Sequence, residues 1–182
     1  MAVKQLVNGV EVAKLREMVQ TLKQQPDLAK FHFHASNQWF NAGHSRTTIA
    51  DFHGVGDDIS HDQPFELDAD EPHVLLSGDE GPNPVEHLLN ALVTCLTGAL
   101  VYHAAVRGIQ VDEVESEVEG DIDIRGFMGI TDEVRKGYQS IKVTFKVKSD
   151  APPEKLEECA RFSPVFDTVS NGTEVGLEIQ KK

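Results

Sequence analysis

The sequence predicts an α+β fold with mostly antiparallel sheet, and three observations carry that reading. Residues 81–108, GPNPVEHLLNALVTCLTGALVYHAAVRG, have the length and apolar content of one long, largely buried central helix. Several other runs alternate apolar and polar residues at the two-residue period of strands. Strands and helices come in mixed blocks rather than as repeated strand–helix–strand units, which argues against a purely parallel sheet.

Taken in order, residues 10–24 place Val10, Val12, Leu15, Met18, Val19 and Leu22 at helical spacing, and Pro26 stops the run. Residues 30–40 alternate Phe31, Phe33 and Ala35 against His32, His34 and Ser36, as a half-buried strand does. Asn41-Ala42-Gly43 turns the chain into a second strand over 44–53, giving a β-hairpin. Residues 54–63 (GVGDDISHDQ) read as a polar loop, and 64–69 and 72–76 as short extended pieces. Pro84 suits the first turn of the central helix, where its missing N–H leaves nothing unpaired, and Gly108 ends it.

Residues 109–120 alternate again, with one slip between Val111 and Val114 that a bulge would accommodate. Their polar side is acidic: Glu113, Glu115, Glu117, Glu119. After a loop with a helical turn (126–137), residues 138–148 set Ile141, Val143, Phe145 and Val147 against Lys142, Thr144, Lys146 and Lys148. Pairing these two strands would bring opposite charges across a ladder. Asp150 is the expected cap of a helix running to about Phe162. Pro164 interrupts that helix, residues 165–170 add a further helical turn, and 173–179 close the fold as an edge strand.

The net charge of −13 excludes clustered basic surface of the kind that binds nucleic acid or an anionic membrane. No window holds ~18 continuous apolar residues, so no spanning helix is expected. The first twenty residues lack the apolar run and cleavage site of a signal peptide, and the expected compartment is the cytoplasm. Two cysteines do not make a disulfide framework.

Those cysteines are the candidate chemistry. At ~100° per residue, Leu88, Ala91, Leu92 and Ala99 all fall within ~60° of Cys95, which places the thiol in the apolar stripe. Glu86 falls ~180° away, so any activating partner must come from another segment. A free cysteine in such a stripe is also an ordinary small core residue. His32 and His34 share a strand face without a visible third ligand, and His87 and His103 are ~24 Å apart along the helix. No metal site is expected.

From Gly81-Pro82-Asn83-Pro84-Val85-Glu86-His87-Leu88-Leu89 through Cys95 to Ala104-Ala105-Val106-Arg107-Gly108-Ile109, the chain resembles the OsmC/Ohr superfamily. Ser163-Pro164-Val165 is similar to the superfamily's later Cys-Pro-Val motif, with serine for cysteine. The resemblance covers about residues 29–180 and leaves residues 1–28 as an N-terminal helical extension before an OsmC-like domain over 29–182. It implies an OsmC-like fold in an intertwined homodimer, with two central helices inside. It further implies a thiol-dependent peroxidase for organic hydroperoxides that needs no cofactor. In that chemistry a thiolate attacks the peroxide and a second thiol resolves the product.

The resemblance implies Cys95 as the attacking thiol, Arg46 as the arginine facing it and Glu86 as a third site residue. Two departures stand out. The glutamate that holds the arginine in the peroxidase pattern falls at Val85, with Glu86 beside it and pointing elsewhere on the helix. The second-cysteine position is Ser163, which leaves Cys159, one helical turn earlier, as the candidate resolving thiol. The expectation is therefore a hydroperoxide reductase acting in oxidative stress, in a one-cysteine form. The alternative is a non-catalytic OsmC-like protein that binds a small ligand or senses redox state. The expected partners are a second copy and a small hydroperoxide or thiol, without nucleic acid or membrane.

Overall fold

A computed structural model describes residues 6–182; residues 1–5 of the expected N-terminal extension lie outside the described residues. In chain order the elements are β1 (Leu6–Val7), β2 (Val10–Glu11), α1 (Val12–Gln24), β3 (His32–Phe33), β4 (Ser36–Asn41), β5 (His44–Gly54), β6 (Asp57–Ala69), α2 (Pro84–Val106), β7 (Glu113–Asp121), α3 (Ile124–Phe127), β8 (Ser140–Lys148), α4 (Pro153–Ala160) and α5 (Pro164–Asn171). Short 3-10 turns occupy Pro26–Ala29 and His73–Leu75. The fold is α+β, and the sheet pairs with defined registers are antiparallel, as expected. The chain divides into two compact units, one over 11–90 and the other over 6–10 and 91–182.

In the first unit β5 is the central strand. β4 pairs along its first half (Ser36↔Thr48 to Asn41↔His44), β3 along its second (Phe33↔Phe52), and β6 along its whole length. The polar loop expected over 54–63 is instead the turn and first half of β6. Val55 and Gly56 both have positive φ, 55° and 83°, which is the two-residue turn whose twist matches a hairpin. Asp57, Asp58 and Ser60 then pair with β5 as an exposed strand. The register slips between Ile49↔Phe65 and Asp51↔Ser60, so Pro64, which has no N–H to offer, sits in a bulge.

In the second unit α2 lays Leu92, Leu96, Leu100 and Ala104 onto Leu156, Cys159 and Ala160 of α4, with Val143, Phe145 and Val147 of β8 packed against them. β7 and β8 form the expected ladder of opposite charges: Lys148–Glu113 at 3.2 Å, Lys142–Glu119 at 3.3 Å and Lys146–Glu117 at 4.0 Å. These side chains are exposed, so each pair contributes little to stability. β7 starts only at Glu113 and contains no bulge. The slip at Val111 arises because Asn8 replaces a strand partner there, accepting from the Val111 N–H and donating to the Ile109 carbonyl, both at 2.9 Å.

The interruption expected at Pro164 is present: α4 and α5 are separate helices, and the Ser163 hydroxyl accepts from the Phe166 N–H to start α5. Two further expectations change. Asp150 does not cap α4; Pro152 occupies the cap position. Residues 173–182 pair with no strand, and Val175, Leu177 and Ile179 are more than three-quarters exposed (80%, 89% and 83%). The alternation is that of a strand, but among the described residues no strand pairs with it.

Candidate functional site

Cys95 sits at the middle of α2, and the structure corrects its surroundings. The stripe that faces the core steps by four: Leu92, Leu96, Leu100, Ala104. Cys95 lies on the adjacent flank and is half-buried, among Leu88 (39% exposed), Ala99 and Tyr102 (54%). The helix is also less buried than expected. Only 28% of its most apolar window is covered. By length and composition it would suffice to cross a bilayer, a property that core helices share. Apolar residues on nearly every side hide from hydropathy which flank meets the core. A cavity of about 580 Å³ between α2, β8 and α5 does not include Cys95 in its walls.

The other thiol is different. Cys159 is fully buried in the α4 core, and that burial pushes its pKa up. A neutral, enclosed thiol is a poor nucleophile. The break between α4 and α5 also removes the continuous turn that was expected to join Cys159 to Ser163. Ser163 itself is buried with its hydroxyl engaged as the α5 cap.

At the start of α2, Glu86 closes a capping box. Its carboxylate accepts from the Asn83 N–H at 2.8 Å, while the Asn83 side chain accepts from the Val85 N–H at 2.9 Å. Glu86 thus holds the helix end. The Asn83 amide also donates to Glu71.

Arg46 lies in the first unit, on β5 directly opposite Asp68 of β6. Its Nε donates to Asp68 Oδ1 at 3.1 Å and its NH2 to Oδ2 at 2.9 Å, a two-point fork, and NH1 reaches Glu66 at 3.2 Å. His44 Nε2 donates to the same Asp68 Oδ1 at 2.9 Å. Arg46, then His44, hold the Asp68 carboxyl below the ordinary carboxylate range, and Asp68 in turn raises Arg46. The sequence reading missed Asp68 and His44. Their only signal was register, since strand pairing decides which acid faces which arginine.

It also missed Asp70, which is buried and organises the loop before α2. Its carboxylate accepts from Ser77 Oγ at 2.5 Å and from the backbone N–H groups of Glu71 (2.7 Å), Gly78 and Glu80 (both 3.1 Å). That collar explains why residues 73–75 form a 3-10 turn rather than the extended piece expected over 72–76. The Ser77 hydroxyl and these N–H groups favour the charged form and lower the Asp70 pKa to about 2, against 3.8 in an unstructured chain. Its contribution to stability is therefore complete above pH ~4 and fades as pH falls toward 2. Acid unfolding followed by circular dichroism should show that dependence in the native chain and a weaker one in Asp70→Asn.

Among the described residues, no cluster of three or more His, Cys, Asp or Glu side chains is arranged to hold a metal ion.

The family profile "OsmC-like protein" matches residues 77–178. No curated protein matches the chain. Solved structures share its fold at low identity. An OsmC-like protein from Mycoplasma pneumoniae superposes with a TM-score of 0.53 at 18% identity, over 76% of this chain and 86% of that one. A putative osmotic stress induced and detoxification response protein from Psychrobacter arcticus gives 0.53 at 14%, over 74% and 85%. An organic hydroperoxide resistance protein OsmC from Legionella pneumophila gives 0.51 at 19%, over 77% and 90%.

Proposed function

We propose a function from one premise: this chain belongs to the OsmC-like protein family. It acts in the response to peroxide stress, as a thiol-dependent reductase of organic hydroperoxides that works with one cysteine. The observation that carries this reading is the contrast between the two thiols. Cys95 is reachable, on an apolar helix flank within the family motif, whereas Cys159 is sealed and held neutral.

Arg46 is the proposed cation for the Cys95 thiolate. The sulfur attacks one oxygen of the hydroperoxide, an S–O bond forms, and the O–O bond breaks. Sulfur loses two electrons, and the departing alkoxide takes a proton to leave as alcohol. The apolar flank of α2 suits the organic tail. With Ser163 unable to form a disulfide and Cys159 enclosed, an external monothiol resolves the sulfenic acid. It forms a mixed disulfide and releases water, and a second monothiol returns Cys95 to its reduced form. The proposed partner is a second copy, for which the open flank of α2 and the apolar run Val175, Leu177, Ile179 supply surface.

A second reading has its own support. The lack of a resolving cysteine also fits a protein that is oxidised at Cys95 without turnover, or that keeps the pocket to bind a small ligand. Cumene and tert-butyl hydroperoxide consumption with monothiol and dithiol reductants separates the two. Turnover with a monothiol is the expected result. Stoichiometric oxidation of Cys95 without turnover would replace the enzyme with the sensor.

A further inference from the structure

We propose that the chamber between α2, β8 and α5 is a binding site for a single-chain amphiphile with an uncharged polar head, a fatty alcohol. All of its walls belong to the unit over 91–182, and neither Cys95 nor Arg46 is among them, so the site stands apart from the thiol chemistry.

Size and lining suit a small molecule. The volume of about 580 Å³ lies within the ~300–1,000 Å³ of small-molecule sites. Leu92, Leu96 and Leu100 form the wall from α2, where four-residue spacing puts all three on one helix face. On β8 every second residue from Ile141 to Val147 lines the chamber, because alternation turns the lysines to the other face. α5 supplies Phe166 and Val169, neighbours across one helical turn. Walls of this kind give water no hydrogen-bond partners, whereas they suit hydrocarbon. The last residues of the chain do not cover them: Val175, Leu177 and Ile179 are 80%, 89% and 83% exposed.

The shape selects an extended chain. Leu92 to Leu100 spans ~12 Å along the helix, and Ile141 to Val147 spans ~20 Å along the strand. A zigzag hydrocarbon advances ~1.25 Å per carbon, so about ten carbons fill the shorter length. The rim selects the head. The polar side chains of the lining are Glu157, Arg161 and Ser170. Arg161 donates to Glu157 from Nε at 3.0 Å and from NH2 at 2.6 Å, and its guanidinium lies 5.7 Å from the Phe166 ring centre. With the two charges paired, a carboxylate head would meet Glu157 and an ammonium head would meet Arg161. The Ser170 hydroxyl is exposed and makes no hydrogen bond with another described residue, so it can donate to an alcohol and accept from one.

The test is a Nile red titration of the full chain, followed by displacement with decanol, decanoate and decyltrimethylammonium, each below its aggregation concentration. One saturable site per chain is expected, with decanol displacing the dye at about fivefold lower concentration than either charged analogue. Val143→Trp and Val169→Trp fill the chamber from two walls and should each weaken Nile red binding about tenfold or more. Ser170→Ala should weaken decanol about threefold to tenfold and leave Nile red in place. Alkylation of Cys95 with iodoacetamide should change neither. Absence of a saturable site, or unchanged binding in both tryptophan variants, overturns the proposal. Loss of binding on alkylation would place the dye on the open flank of α2 instead. Binding that appears only after deletion of residues 173–182 would make that segment the occupant. Tighter displacement by decanoate would overturn the uncharged head. If the tryptophan variants do not fold, photocrosslinking of the native chain with a diazirine-bearing decanol decides. Label is expected on peptides holding residues 141–147 or 166–170, and label on neither overturns the site.

Discussion

Cys95→Ser is expected to reduce hydroperoxide consumption by roughly three orders of magnitude or more, to the rate of the external thiol alone. Serine keeps the size of the side chain, and at a half-buried position on a helix flank the change is mild for packing. What disappears is the nucleophile, because a hydroxyl stays protonated where a thiol can ionise. Cys159→Ser is the informative control. That side chain is buried with Leu156 and Leu96, so the substitution should lower stability while leaving the rate per folded molecule intact. Peroxide assays on both variants, normalised to the folded fraction by circular dichroism, separate the two effects. Activity that survives Cys95→Ser would remove the assignment of the site, and a requirement for Cys159 with dithiols alone would make it a resolving thiol.

Leu100→Ala should lower unfolding stability by about 2–5 kcal/mol. Leu100 is only 2% exposed and stands between Leu96 and Ala104 in the core stripe of α2. Removing its branched end takes buried methyl groups from the core and opens a void that the neighbours only partly fill. Leu100→Met, which nearly conserves volume, should lose less than about 1.5 kcal/mol. Urea unfolding should show the loss as a lower midpoint at an unchanged slope. Equal losses for the two variants would mean that this stripe is not tightly packed.

Much of this architecture was legible before the structure. The central helix, its proline entry and its glycine exit were plain because periodicity, a strong starter and a strong stopper agree. The Glu/Lys ladder of β7 and β8 was equally plain, since alternation set both faces and complementary charge set the partner. Asp57–Ala69 was not. An edge strand needs no apolar side, so Asp57, Asp58 and Ser60 look like loop until β5 pairs with them. The motif picks out Cys95 in the sequence, but not the flank on which it stands, because α2 is apolar nearly all round. Arg46 could be named from the sequence, whereas its partner Asp68 depended on a register across twenty-two residues of chain. Asp70 resembled any surface acid. Only the loop folded around it shows the collar of four donors.

The division of α2 into a stripe within its own core and an open apolar flank has a thermodynamic consequence. In the proposed dimer that flank is covered only on association, so folding and association become linked equilibria. Melting temperature is then a function of protomer concentration, falling on dilution by mass action. A substitution on the flank would be nearly silent in a concentrated sample and severe in a dilute one, while Leu100→Ala would weigh the same in both.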